Sequence, residues 1–231
     1  MSASASGLPA GTERASLMIG VDFDNTIVSY DALMHAIATD WGLIGGEIRR
    51  SKRRIRDVVR SLPDGEVLWQ RLQIAAYGIR MREAAPADGV REFFLLCRQR
   101  GVPVRIVSHK TTFPNLGESE VNLRSAAMAW LEQRGFLAAD GFGVAREHVY
   151  FESSRAEKIA RIGQLGITHF IDDLEETFNE PDFPPAVEKI LYSNDPASLA
   201  GRVTTFGSWA QIQGYLLPAT KPAVRAGRPL P

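Results

Sequence analysis

The stretch from Leu17 to Thr26, which reads Leu-Met-Ile-Gly-Val-Asp-Phe-Asp-Asn-Thr, constrains the fold more than any other part of the chain. Its first half is a short apolar run that contains Ile19 and Val21, and such a run predicts a buried strand. Asp22 and Asp24 follow at once, and carboxylates are not buried in a core without partners. Ligands of open α/β sheets bind at the carboxyl ends of the strands. The stretch therefore predicts a strand that ends at a functional site.

The composition is that of a globular protein with a sizeable core: 231 residues, of which 45% are hydrophobic and 23% charged. Basic and acidic residues number 27 each, so the whole chain gives no reason to expect nucleic acid or a membrane as a partner. No apolar run approaches the roughly 18 residues of a membrane span. The single cysteine, Cys97, excludes an intrachain disulfide and suits a reducing cytosol, so we expect a cytoplasmic protein. The oligomeric state stays open.

The rest of the chain divides into a helical segment and an alternating one. Apolar residues recur at helical spacing across residues 29–84, which we call the insertion, and this predicts an all-helical segment. Beyond it, β-branched runs alternate with helical patterns, which predicts an α/β fold with a parallel sheet and helices on both faces. We assign residues 17–28 and 85–217 to this core. Residues 1–16 and 218–231 are expected to be a disordered lead-in and a disordered tail.

Polar residues also end two later predicted strands: Ser108 follows Val-Arg-Ile-Val, and Asp172-Asp173 follows the strand predicted at 167–171. A helix between them, capped by Ser153 or Ser154, carries Lys158. Taken in order, these positions resemble the four motifs of the haloacid dehalogenase (HAD) superfamily, over roughly residues 17 to 207. The resemblance implies a HAD-like Rossmannoid sheet, with the insertion as a small helical cap that closes over the site.

The resemblance also implies roles, and each role suits the chemistry of the side chain. Asp22 would be a nucleophile that forms an aspartyl-phosphate, and Asp24 a general acid and base. Ser108 would hydrogen-bond the phosphate, and Lys158 would supply positive charge. Phosphoryl transfer also requires charge neutralisation by a metal, for which Mg²⁺ is the expected cofactor.

We expect Mg²⁺ to bind carboxylate oxygens of Asp22 and Asp172 and the backbone carbonyl oxygen of Asp24. Asp173 would contact these ligands without binding the ion itself. Substrate contacts are expected from Thr26, His109 and Lys110, although His109 and Lys110 could equally face solvent. The loop at 111–119 should lie near the mouth of the site.

Asp24 also bears on the type of reaction, because dehalogenases of this superfamily lack the second aspartate of the first motif. We therefore expect a Mg²⁺-dependent phosphomonoesterase for a small phosphorylated metabolite, such as a sugar phosphate. A mutase and a non-catalytic binding or regulatory module remain alternatives. Asn25 stands where many members have Gly, and it tolerates unusual backbone angles better than most residues do.

For two groups of residues in the insertion, the sequence allows both a functional and a purely structural interpretation. A basic helix face would allow a phosphatase for nucleotides or nucleic-acid ends, but we interpret it as a solvated face because the apolar stripe is complete without it. The face comprises Arg49, Arg53, Arg56 and Arg60. The aromatic residues lie at helical positions and are expected in the core rather than as a substrate platform. They are Trp41, Trp69 and Tyr77.

Overall fold

The computed structural model describes residues 16–114, 120–193 and 203–219. The predictions for residues 1–15 and 220–231, and for the loop at 115–119, lie outside the described residues. The strands of the described part are β1 (Ile19–Val21), β2 (Val28–Ser29), β3 (Ala85–Pro86), β4 (Val104–His109), β5 (Val149–Glu152), β6 (His169–Asp172), β7 (Glu188–Tyr192) and β8 (Thr204–Phe206). The α-helices of the same ranges are α1 (Asp31–Asp40), α2 (Lys52–Arg60), α3 (Gly65–Ile74), α4 (Val90–Gln99), α5 (Leu123–Gln133), α6 (Arg155–Gln164), α7 (Glu175–Phe178) and α8 (Trp209–Leu216).

One six-stranded parallel sheet, in the order β5-β4-β1-β6-β7-β8, forms the centre of the molecule. The first strand of the chain lies in its middle, with Val21 opposite Ile106 on one side and Ile171 on the other. A Cβ at Gly20 would lie 2.5 Å from the Phe170 ring, so the close approach of β1 and β6 requires glycine there. The predicted α/β fold with a parallel sheet is confirmed.

The sheet is covered on both faces. Ile171 packs into one apolar cluster and its neighbour Phe170 into another, as successive strand residues must when both faces are buried. The first cluster includes Val90 of α4 and Trp209 of α8, whereas the second includes Ile159 of α6. The helices on both faces that the alternating pattern predicted are therefore present.

The helices α1 to α3 lie between β2 and β3, which pair with each other in an antiparallel ribbon. Val28 pairs with Pro86 and Ser29 with Ala85, so the chain leaves the core and returns to it at adjacent points. The sequence pattern gave no indication of this ribbon, because each strand has only two residues.

No helix of the described residues combines the length and the apolar character needed to cross a membrane.

Two predictions for the insertion are wrong in detail. The basic face was predicted to include Arg49, but α2 begins only at Lys52, so Arg49 precedes the helix and does not share its face with the other arginines. Trp41 is 44% exposed because it follows the end of α1, whereas Trp69 is buried as predicted. Tyr77, in a π-helical turn at 75–79, packs against the core cluster as predicted and also lines the cavity at the site.

Candidate active site

The carboxyl ends of β1, β4 and β6 carry the polar residues that the sequence singled out. Because these strands are neighbours in the sheet, Asp22, Ser108 and Asp172 lie side by side, and the Asp22 amide donates a 2.8 Å hydrogen bond to the Ile171 carbonyl. A cavity of about 410 Å³ opens here between the sheet edge and the insertion. Its lining includes Asp22, Asp24, Ser108, His109, Lys110, Lys158 and Asp173 from the core, and Lys52, Gln73 and Tyr77 from the insertion.

Lys158 joins two of the strand ends. A capping box of Ser154 and Glu157 fixes the start of α6 and therefore the position of the lysine one turn along. Its Nζ donates to Asp22 Oδ1 and to Asp172 Oδ2, each at 2.6 Å. Burial by itself would lower the pKa of Lys158, but the two carboxylates outweigh it and raise the pKa above its ordinary value. A fully charged ammonium therefore lies between two buried carboxylates.

The carboxylates of Asp22, Asp172 and Asp173 form a compact acidic cluster, with one oxygen of each within 4.8 Å of the others. Asp172 Oδ1 accepts from the Leu174 amide at 2.9 Å, and Asp173 Oδ1 accepts from the Thr26 hydroxyl at 3.5 Å. Burial raises the pKa of Asp22 to about 6, and burial also raises the pKa of Asp173. Crowded, buried carboxylate oxygens are the donor set that a hard divalent cation such as Mg²⁺ prefers. The cluster fits such an ion.

Asp24 has a different environment from Asp22. Lys110 Nζ donates to both of its carboxylate oxygens, at 2.9 and 2.8 Å, and the Tyr30 hydroxyl donates to Oδ1 at 2.6 Å. Asn25 takes a left-handed conformation with φ of 59°, which asparagine adopts more readily than most residues do. This conformation permits the sharp turn after Asp24. The sequence did not predict Tyr30 as a site residue, and it predicted Lys110 as a contact for substrate rather than for Asp24.

Ser108 is fully buried, and its Oγ has no hydrogen-bond partner among the described residues. Buried hydroxyls without a partner are rare, so each needs an explanation. Ser108 lines the cavity, where a phosphoryl oxygen would supply the missing acceptor. His109 is exposed, and its Nε2 lies 3.2 Å from the Ser153 carbonyl.

Two further residues of the site had no sequence signal. Arg124 holds the segment after β4 in place, because it donates to the Lys110 carbonyl at 2.8 Å and to the Ser153 hydroxyl at 2.8 Å. Lys52 of α2 extends from the insertion into the cavity, with its Nζ 5.6 Å from the centre of the Tyr77 ring. Lys52 belongs to the basic run seen in the sequence, but nothing in that run distinguishes it from the arginines around it.

These features together define a class of fold. Asp22 follows the central strand β1, the two neighbouring strands carry Ser108 and Asp172 at their carboxyl ends, and a helical insertion covers the site. No protein-family model and no curated protein matches the sequence. Among solved structures, the chain is similar to a HAD-superfamily hydrolase of subfamily IA from Geobacter sulfurreducens PCA. The two share 16% identity over 90% of this chain and 99% of the other, with a TM-score of 0.53.

A HAD family hydrolase from Deinococcus radiodurans R1, solved with bound phosphate and sodium, shares 17% identity over 87% of this chain and 95% of its own, with a TM-score of 0.50. A dehalogenase solved as an intermediate complex shares 11% identity over 87% of this chain and 97% of its own, also with a TM-score of 0.50. The protein has the fold of the HAD superfamily, so the resemblance seen in its four motifs is confirmed at the level of the fold.

Proposed function

We propose that the protein is a Mg²⁺-dependent phosphomonoesterase that acts through an aspartyl-phosphate on a small phosphorylated metabolite, such as a sugar phosphate. The observation that carries this proposal is the contrast between the two carboxylates at the end of β1. Asp22 contacts Lys158 inside the acidic cluster, whereas Asp24 is held apart by Lys110 and Tyr30. Carboxylates in different environments are suited to different steps of one reaction.

The first half of the reaction transfers the phosphoryl group to the protein. A carboxylate oxygen of Asp22 attacks the phosphorus, and the bond from phosphorus to the ester oxygen breaks. Asp24, which must be protonated when the substrate is bound, gives that proton to the ester oxygen, which leaves as an alcohol. The unpartnered Ser108 hydroxyl donates to a phosphoryl oxygen, and Lys158 offsets the negative charge that collects at Asp22.

The second half returns the protein to its starting state. Asp24, now ionised, takes a proton from a water molecule while the water oxygen attacks the phosphorus of the aspartyl-phosphate. The bond between phosphorus and Asp22 breaks, so inorganic phosphate leaves and both aspartates regain their original protonation states. The insertion acts as a cap that excludes other water from this step.

The carboxylates of Asp22 and Asp172 and the backbone carbonyl of Asp24 would hold the Mg²⁺ ion. Asp173, which belongs to the same acidic cluster, would contact these ligands. The bound ion would supply positive charge to the phosphoryl oxygens. Thr26, predicted as a substrate contact, is fully buried against Asp173 and does not line the cavity, whereas His109 at the cavity wall remains a proposed substrate contact.

The test is hydrolysis of para-nitrophenyl phosphate with Mg²⁺ and with EDTA. We expect turnover that needs the metal, that falls to background in Asp22→Asn, and that falls by about 10²–10⁴-fold in Asp24→Asn because the acid and base are lost. Asp64→Asn, at an exposed turn, is the matched control. Metal-dependent turnover that Asp22→Asn retains would contradict the proposal.

Release of chloride from 2-chloropropionate would indicate a dehalogenase instead, and return of the phosphoryl group to substrate would indicate a mutase. A non-catalytic module would give no turnover at all. The nucleic-acid alternative has little support, because Arg56 pairs with Asp57 at 3.0 Å and Arg60 with Glu66 at 2.8 Å. Part of the basic face is therefore already neutralised.

A further inference from the structure

The cationic side chains that line the cavity differ in whether a carboxylate neutralises them. Lys158 pairs with Asp22 and Asp172, Lys110 pairs with Asp24, and Arg155 pairs with Glu180 at 3.0 Å. The remaining cation is Lys52, whose ammonium has no ion pair with a carboxylate of the described residues. The Lys52 ammonium hydrogen-bonds Tyr77 but has no directly paired anion, and a buried cation without one favours an anionic ligand.

The position of Lys52 is fixed by the fold of the insertion. Its backbone amide donates a 2.8 Å hydrogen bond to Asp31 Oδ1, so the carboxylate at the start of α1 holds the start of α2 beside the site. Burial by itself would lower the pKa of Lys52, but Tyr77 and the carboxylates of Asp173 and Asp24 outweigh it and raise the pKa. The side chain is therefore a charged ammonium at neutral pH.

Lys52 belongs to the insertion, whereas the groups that handle the transferred phosphoryl group belong to the ends of the core strands and to α6. Gln73 and Tyr77 line the cavity from the insertion together with Lys52 and add an amide and a phenol hydroxyl. The cavity volume of about 410 Å³ lies within the range of small-molecule sites. The insertion therefore presents one positive charge and two neutral hydrogen-bonding groups to the cavity, across from the strand ends.

We propose that Lys52, assisted by Gln73 and Tyr77, binds a second anionic group of the substrate. The preferred substrates are then small phosphate monoesters whose leaving group carries a carboxylate or another phosphate. This inference rests on the phosphomonoesterase activity proposed above, and it makes Lys52 the residue that determines specificity.

Three esters with the same carbon skeleton test the inference: glycerol 3-phosphate, 3-phosphoglycerate and glycerol 1,3-bisphosphate. We expect the wild-type protein to have a higher kcat/KM for at least one of the two acidic esters than for glycerol 3-phosphate. The one that it prefers distinguishes a carboxylate from a phosphate as the second group. Lys52→Met should lower kcat/KM for the preferred acidic ester by about 10- to 100-fold more than for glycerol 3-phosphate, because a hydrogen bond to a charged group is lost.

The controls separate charge from folding. Arg54→Met removes a cation from the exposed side of the same helix and should leave all three kcat/KM values unchanged. Lys52→Arg should keep much of the preference, and thermal unfolding checks that each variant is folded. If Lys52→Met lowers all three values by the same factor, the inference fails but the phosphomonoesterase stands. If the wild-type protein hydrolyses neither these esters nor para-nitrophenyl phosphate, both are overturned.

Discussion

Lys110 Nζ lies 2.9 Å from Oδ1 and 2.8 Å from Oδ2 of Asp24, so one ammonium contacts both oxygens of this carboxylate. The rings of Phe23 and Tyr77 flank the ammonium, with their centres 5.5 and 5.4 Å away. Only 3% of the Lys110 side chain is exposed, and hydrogen bonds that are shielded from water orient a carboxylate firmly. Lys110 therefore holds the Asp24 carboxylate in a fixed orientation.

Lys110→Met should therefore reduce the rate of the chemical step more than it weakens binding. Asp24 would lose its ammonium partner and its fixed orientation, and we expect kcat to fall about tenfold or more while KM changes little. Steady-state kinetics with para-nitrophenyl phosphate measure both quantities, and Lys110→Arg should restore part of kcat. A rise in KM at unchanged kcat would instead show that Lys110 contacts substrate, as the sequence predicted.

Lys158→Met should destabilise the folded protein, because it leaves Asp22 and Asp172 buried together without their cation. Removing one partner of a buried ion pair lowers the unfolding free energy by about 3–5 kcal/mol. Urea denaturation in EDTA measures this loss, and added Mg²⁺ should recover part of it by supplying a new cation. Arg161→Met is the control on the same helix, because its ion pair with Glu152 is half-exposed and should cost less than about 1 kcal/mol. Equal losses in the two variants would contradict the prediction.

The stability of the metal-free protein should depend on pH through Asp22. Burial raises the pKa of this carboxyl from 3.8 to about 6, so the folded protein keeps a proton that the unfolded chain releases. The stabilisation from the bound proton is present below pH 3.8 and is lost as the pH rises through about 6.

In Asp22→Asn this loss is absent, so its unfolding free energy relative to wild type should rise between about pH 4 and 7, by on the order of 1–3 kcal/mol. Urea denaturation in EDTA at several pH values measures the difference, and Asp64→Asn should show no such trend. A flat difference for Asp22→Asn would mean that Asp22 is ionised in the folded protein throughout this range.

Gly78→Ala should disturb the contact between the insertion and α5. A Cβ at this position would lie 2.3 Å from Val121 Cγ1, and valine has few rotamers to move into. We expect a loss of about 1–3 kcal/mol in unfolding free energy from overpacking. Gly214→Ala in α8 is the matched control, because nothing lies within 4 Å of its added Cβ and alanine favours a helix. A stable Gly78→Ala variant would show that this contact is loose.

The parts of the site that depend on short stretches of chain were predictable from the sequence. Strands are recognisable as β-branched runs, and the polar residues that end them are adjacent in the sequence to those runs. The sequence alone therefore places Asp22, Ser108 and Asp172 at one sheet edge, and the capping signal at Ser154 places Lys158 on its helix.

The parts that depend on how distant segments meet were not predictable. Lys110 and Asp24 are 86 residues apart, and their contact depends on the path of the chain after β4. Tyr77 packs against the core cluster as its helical position predicts, but its second contact, with the cavity at the site, depends on segments distant in the sequence. Lys52 reaches the site from a helix whose start contacts Asp31, 21 residues away, and no local pattern reveals that contact.

The antiparallel pairing of Ser29 with Ala85 places the exit and the re-entry of the insertion on neighbouring backbone positions, about 5 Å apart as in any such pair. A short turn could join these two strands as a simple hairpin, and the parallel sheet would not need to change. Helical segments of other lengths and surfaces could be grafted at the same junction. Under the proposed function, exchange of this one segment would change the substrate-facing surface and leave the residues at the strand ends as they are.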